Sequence, residues 1–355
     1  MKLPRLLAAT CLWAGLAALS VPAAAQSANP VLSFDAQAFA EKPFVLSNGV
    51  SGRPVSFKSR SPADYGPLLR GELGPEVTLT AQLFLPPRAD GRVPAVILIP
   101  GSGNLAGNYF AHAATLTSNG IAALAVDPFT GRGVKNTIAD QNQFSFAASA
   151  LDALAALKFL STLGEIDAAR VGATGGSRGG TAVLFAASAP ITRAVLGTSG
   201  GLKAVVAGYP WCGVQFRSAS LAAGAAALIL SGDRDDWVNP LQCQGMALAM
   251  ERNGQSVTMK LFPGALHSFD REGLPPTAFP DAIKALRVPV FYMDDEGRYF
   301  DPRTARVDPA LTQAMLTGYA AKNGLIDRGA SVGSTGSQAK EYSEEMLAFF
   351  RQQLQ

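Results

Sequence analysis

Short, continuously apolar runs alternate along this chain with longer segments of helical period, and this alternation narrows the fold more than any other feature. "VPAVILIPG" (93–101), "GIAALAVDPF" (120–129), "AVVAGYPW" (204–211) and "AALILSGD" (226–233) are brief apolar runs punctuated by Gly, Pro or Asp. Runs of this kind read as strands buried on both faces. Between them, "FSFAASALDALAALKFLSTLG" (144–164) carries apolar residues at a helical period and stops at a glycine. Strand, helix and strand in succession build crossover units and a mostly parallel sheet, so the expected class is α/β. "VTLTAQLFLP" (77–86) alternates apolar and polar residues and reads as an early, half-exposed strand. Near the end, "SEEMLAFFRQQL" reads as an amphipathic helix with Ser343 as its N-cap.

The first 25 residues read differently. Lys2 and Arg5 precede an apolar run to about Leu19, and small residues end in Ala23-Ala24-Ala25. This is the pattern of a secretory signal peptide, and the run is shorter than the roughly 20 residues a membrane anchor needs. The expected mature chain is 26–355, one domain, placed in the periplasm or outside the cell. The formal net charge of +3 falls by two with the loss of Lys2 and Arg5. Nothing in that balance attracts nucleic acid or an acidic membrane. Of the three cysteines, Cys212 and Cys243 remain after cleavage. In an oxidising compartment they are expected to pair, two buried free thiols being the alternative. Two cysteines and two histidines scattered along the chain lack the paired spacing of a zinc site, so no metal is expected.

"GATGGSRGG" (172–180) contains Gly175-Gly176-Ser177-Arg178-Gly179, a G-x-S-x-G pattern between a buried strand and a helix. That is the context in which a sharp turn exposes a nucleophilic serine. Acyl transfer through serine also needs a base to take its proton and an acid to orient the base, in the chain order Ser, Asp or Glu, His. His267 lies in "FPGALHSFD", a loop past a strand, while His112 precedes the serine on a predicted helix and reads as structural or solvated. "LILSGDRDDWVNP" offers Asp233, Asp235 and Asp236 directly after a strand. The G-x-x-D-x-x-V spacing selects Asp235, with Asp236 as runner-up. For the oxyanion, the backbone N–H of Arg178 and one from Ser102 or Gly103 in "IPGSGNLAG" are the expected donors.

The same loop carries a rival. Gly101, Gly103 and Ala106 spell G-x-G-x-x-A after a strand, and Asp127 ends the next one, which is the layout of a nicotinamide-cofactor site. That reading conflicts with the leader and leaves the Ser177, Asp235, His267 series unexplained. A fold of this type used only for binding is a third reading, against which the complete triad stands.

On "IPGSG", "AVDPFTGRG", "GATGGSRGG", "GYPWCG", "LILSGDRDDW" and "FPGALHSF", the chain resembles the dienelactone hydrolase-like branch of the α/β-hydrolases. The resemblance implies a mostly parallel sheet with helices on both faces, no cofactor, and a small-molecule ester or lactone as substrate. Two positions depart from the namesake enzyme: Ser177 stands where it has cysteine, and Gly101, Ser102 and Asn104 stand near its first-loop glutamate. These departures favour a general carboxylic ester hydrolase. Arg178, Arg132, Tyr209, Trp211 and Trp237 follow strand ends and are candidates for the substrate pocket. The stretch 271–340 is long for a link and is read as either a cap or surface decoration. Within it, "YMDDEGRYFD" (292–301) reads as a turn, without the ligand spacing of a calcium loop.

Overall fold

The structure is a computed structural model and describes residues 34–87, 91–197 and 201–355. The predicted leader, 1–25, lies outside the described residues. The chain from Phe34 to Gln355 forms one compact unit.

Nine strands come first in chain order: β1 (Arg53–Arg60), β2 (Glu76–Phe84), β3 (Val93–Ile99), β4 (Ala122–Asp127), β5 (Ile166–Gly176), β6 (Ala204–Gly208), β7 (Val214–Phe216), β8 (Ala226–Gly232) and β9 (Ser256–Phe262). All but β7 form one sheet in the order β1-β2-β4-β3-β5-β6-β8-β9. β2 runs antiparallel to both its neighbours, and the remaining pairs are parallel. The fold is the expected α/β-hydrolase arrangement, a mostly parallel sheet flanked by helices.

The helices are α1 (Ala36–Glu41), α2 (Tyr65–Leu69), α3 (Gly107–Thr117), α4 (Phe146–Leu160), α5 (Arg178–Ala186), α6 (Ala189–Leu196), α7 (Pro240–Arg252), α8 (Gln313–Lys322) and α9 (Gln338–Leu354). Strand periodicity divides the core between two faces. Along β3, Ala95, Ile97 and Ile99 pack with residues of α4, α5 and α7. Val96 and Leu98 pack with α3 and α9 instead. All seven residues of β3 are buried, which is why the run lacks polar alternation. The last helix begins at Gln338, earlier than expected, so Ser343 lies inside it and Ser337 holds the N-cap position.

The stretch after His267 has secondary structure of its own. β10 (Thr277–Lys284) pairs antiparallel with β14 (Asp327–Val332). β11 (Phe291–Met293), β12 (Tyr299–Phe300) and β13 (Val307–Asp308) form a small sheet with β7, which runs parallel to β11. Buried Asp64, the cap of α2, ties this segment to the body: it accepts from the Gln313 N–H at 2.7 Å and the Tyr299 hydroxyl at 3.0 Å. Asp294 and Arg298 close the 292–301 stretch as an ion-paired turn at 2.7 Å. Cys212 and Cys243 are bridged, 31 residues apart in sequence.

Candidate active site

Ser177 sits between the end of β5 and the first residue of α5, with φ 55° and ψ −120°. A non-glycine residue at such angles is held there against a cost of about 1–3 kcal/mol. The glycines around it make the turn feasible. A Cβ on Gly179 would collide with the Ile99 carbonyl, and one on Gly176 with the Tyr209 hydroxyl. The Ser177 N–H donates to the Gly208 carbonyl at 2.8 Å, which fixes the turn to β6.

Asp235 follows β8 and is buried. Its Oδ1 accepts from the N–H groups of Trp237 and Val238 at 2.9 and 3.0 Å, so the turn presents Oδ2 elsewhere. That oxygen lies 2.7 Å from His267 Nδ1, and both side chains are 1% exposed. A carboxylate has no proton to give, so Nδ1 is the donor and Nε2 carries the lone pair. Nε2 is buried and has no hydrogen-bond partner. The rings of Tyr209 and Trp237 flank the imidazole, with centroids 4.8 and 4.9 Å away. Tyr209 also touches the elbow at Gly176, and Trp237 shares a cleft wall with Ser177, so serine and histidine have common neighbours. The other acids of the cluster do local work. Asp233 accepts from the Gly264 N–H, and Asp236 from the Ser331 N–H of β14.

The cleft beside Ser177 is partly open to solvent and spans about 650 Å³ with that open space included. Ser102 and Arg178 line it with Ser177; Gly103 does not. The Ser102 side chain is held by the Gln141 amide at 3.0 Å, and its carbonyl accepts from the Thr137 N–H at 2.8 Å. Trp211 and Trp237 line the cleft, as do Ile283, Val288 and Phe291 from the segment after His267. Arg132 and Tyr209 are outside it. Arg132 instead forms a buried ion pair with Asp152 at 2.8 Å. Asp127 is buried, and its Oδ1 accepts from the N–H groups of Phe129 and Thr130 and from Asn104 Nδ2. It therefore caps the turn after β4 through Oδ1, and although Oδ2 has no partner the side chain is fully buried and not presented to a ribose, which weakens the support for a nicotinamide site. Among the described residues no cluster of side chains has a metal-binding arrangement.

The dienelactone hydrolase family model matches residues 79–285, more than half of the chain. The chain belongs to the dienelactone hydrolase family. It is an enzyme of the hydrolase type. No curated protein matches it. A solved structure from Klebsiella pneumoniae subsp. pneumoniae, provisionally described as a dienelactone hydrolase, has the same fold: TM-score 0.51, 18% identity, 84% of this chain and 99% of that one covered. A dienelactone hydrolase-like promiscuous phosphotriesterase from metagenomic libraries aligns at TM-score 0.43 and 19% identity, over 62% of this chain and 86% of its own. Esterase 2 of Thermogutta terrifontis aligns at 0.43 and 19%, over 56% and 82%.

In this member of the dienelactone hydrolase family, the residues around the elbow make contacts that the sequence did not reveal. Arg178 contributes its side chain as well as its backbone. The buried guanidinium donates to Ser149 Oγ, to the Gln141 side chain and carbonyl, and to the Phe144 carbonyl, at 2.5 to 3.2 Å. It is sandwiched between the rings of Phe144 and Phe146 at 4.3 and 4.2 Å. Burial pulls its pKa down to about 9, which leaves it charged at neutral pH. It organises the 141–146 loop that forms one side of the cleft.

Behind His267 lies a second acid–histidine pair. Asp270 Oδ2 accepts from His112 Nε2 at 2.9 Å and Asn108 Nδ2 at 2.8 Å, while Oδ1 accepts from the Tyr209 hydroxyl at 2.7 Å. Burial pushes this carboxyl up, but the donors, His112 foremost, outweigh it and hold it below its usual 3.8. His112 is thus buried and paired, not solvated. The only available signal was its place on the apolar face of α3, and nothing local pointed to Asp270 as its partner.

Proposed function

We propose that the protein is a serine hydrolase that cleaves a carboxylic ester or lactone through an acyl-enzyme on Ser177. One observation supports the reading: Asp235 holds the His267 ring so that an unpartnered Nε2 remains, and Ser177, forced into an elbow, shares the neighbours Tyr209 and Trp237 with that ring. His267 Nε2 takes the hydroxyl proton as the Ser177 oxygen bonds to the ester carbonyl carbon. The carbonyl π electrons move onto the oxygen, which the N–H groups of Arg178 and of Ser102 or Gly103 receive. The imidazolium, supported by Asp235, returns the proton to the departing alkoxide as the C–O bond breaks. Water, deprotonated by the same nitrogen, then releases the acid and restores the serine. The segment 271–340 acts as a partial cap, a role supported by the cleft wall it supplies. The Cys212–Cys243 bridge supports an oxidising location, periplasmic or extracellular, reached through the leader.

The test is covalent labelling with a fluorophosphonate, followed by peptide mapping, alongside turnover of p-nitrophenyl butyrate. The expected adduct is on Ser177, and Ser177→Ala loses both adduct and turnover while remaining folded. Wild-type turnover that survives this substitution overturns the mechanism.

A further inference from the structure

The lining of the cleft narrows the substrate class of the proposed hydrolase, a reading on which this inference rests. Among the described residues that line it, Arg178 alone carries a formal charge. That guanidinium is buried, and each of its three nitrogens already donates within the protein, to Ser149, to Gln141 and to the Phe144 carbonyl. The rings of Phe144 and Phe146 lie against its central carbon at 4.3 and 4.2 Å. It serves the 141–146 loop and has little left to offer a ligand. A carboxylate that enters beside Ser177 gives up hydration and meets no open cation. An ammonium meets no acid.

The wall supplied by the segment after His267 is apolar and held in place. Ile283, Val288, Phe291 and Ile326 contribute to it, and Trp237 continues it to the imidazole, 4.9 Å away between ring centroids. The one polar atom of Trp237 is already used. Its Nε1 donates to the Ile283 carbonyl at 2.9 Å, so the indole can show a ligand only hydrocarbon. Backbone bonds fix the wall: the Ala285 N–H donates to the Trp237 carbonyl at 2.9 Å, the Ile283 N–H to the Ile138 carbonyl at 3.2 Å, and the Phe291 N–H to the Gly213 carbonyl at 2.8 Å. A surface already formed takes up an apolar group without the ordering cost that a mobile one would pay. Of the polar side chains in the lining, Ser102 and Gln141 bond to each other, and the Thr317 hydroxyl donates to the Gln313 carbonyl.

We propose that the cleft selects esters with an uncharged, apolar group on the limb that lies along the 283–326 wall, and discriminates against the same ester bearing a carboxylate or a quaternary ammonium there.

The test uses esters of one shape and three charges. On the acyl side these are methyl 5,5-dimethylhexanoate, methyl 4-(trimethylammonio)butanoate and methyl 4-carboxybutanoate. On the alcohol side they are 3,3-dimethylbutyl acetate, acetylcholine and 2-carboxyethyl acetate, all followed by pH-stat titration at neutral pH. In at least one series the neutral ester is expected to exceed both charged members by about a hundredfold in kcat/KM. A charged member within about tenfold of the neutral one in each series overturns the proposal. Thr317→Lys and Ile326→Lys, at half-buried positions of the lining, bring a cation to the cleft. At least one of them is expected to shrink the deficit of the carboxylate about tenfold or more while leaving that of the trimethylammonium ester no smaller. The readout is a ratio, so a variant that merely folds poorly lowers all members alike and leaves it intact. A carboxylate deficit that survives both substitutions overturns its assignment to the missing cation. In each of these cases Ser177 labelling and turnover of p-nitrophenyl butyrate still stand, whereas their absence sinks the hydrolase reading and this inference together.

Discussion

Tyr209 ties the two histidines of this chain together: its ring packs edge-on against His267 at 4.8 Å, and its hydroxyl donates at 2.7 Å to Asp270, the partner of His112. Its backbone has φ 36°, a left-handed value rare for a side chain of this size. The arrangement gives Tyr209→Phe a specific outcome. The ring still packs on the imidazole, but a buried carboxylate loses one donor, at a cost of about 1.5–3 kcal/mol in stability. Because Asp270 anchors the loop three residues beyond His267, kcat is expected to fall about tenfold with KM nearly constant. Urea denaturation with steady-state kinetics well below the transition checks both, and a loss of stability with unchanged kcat refutes the positioning role.

Asp270 also sets a dependence on acid. Its carboxyl is held below its usual 3.8 in the folded protein, so between the folded and unfolded values the unfolded chain binds more protons. The contribution is therefore complete above 3.8 and is lost as pH falls through the lower, folded value. In Asp270→Asn that contribution is absent. The stability gap between wild type and variant is expected to be constant from about pH 7 to 5 and to narrow below about pH 4. Unfolding free energies measured across this range decide it; a gap that widens in acid contradicts the sign.

Strain at the elbow predicts a trade between stability and activity. Ser177→Gly relieves the φ 55° backbone and is expected to raise stability by about 1 kcal/mol while abolishing turnover. The denaturation midpoint is the measurement. A destabilised glycine variant would mean that the serine is not strained.

Arg178→Lys keeps the charge but loses the planar fork and its ring stacking. With the 141–146 loop released from several bonds, stability is expected to drop by about 2 kcal/mol or more, and kcat/KM to fall at least tenfold. Methionine in its place retains the bulk between the Phe144 and Phe146 rings without the donors, and comparison of the two variants by thermal melts and kinetics separates packing from hydrogen bonding.

The bridge closes a loop of 31 residues between Cys212 and Cys243. Replacing both cysteines by serine is expected to cost about 3–4 kcal/mol on the chain-entropy model. Calorimetry on the double variant checks this, and an unchanged melting temperature would show that the closed loop is not limiting.

How much of this was legible beforehand depended on whether a signal was local. Strands β3, β4, β6 and β8 announced themselves because each is buried throughout and so is written as a nearly unbroken apolar run. Ser177, Asp235 and His267 each follow a strand, β5, β8 and β9 in turn, with motif neighbours close by in sequence. His112, Asn108, Tyr209 and Asp270 leave no such trace, because their meeting depends on α3, β6 and the histidine loop converging from distant parts of the chain. Gln313 was equally hidden. Its place on the cleft wall is set by the path of the whole segment from β10 to β14, and by the anchor at Asp64, none of which follows from periodicity. Arg132 shows the converse: its position after a strand end pointed to the pocket, but a buried acid on α4 was the stronger partner.

The strand that closes the segment after His267 also clasps the histidine itself. Val332 bridges to His267, and the Gly333 N–H donates to the His267 carbonyl at 3.0 Å. The portion of the enzyme that walls the cleft is thus mechanically joined to the histidine proposed to move the proton. Chimeras that exchange 277–332 for another sequence will alter selectivity and turnover together, and a designer who wants one without the other has to leave the 331–333 clasp untouched.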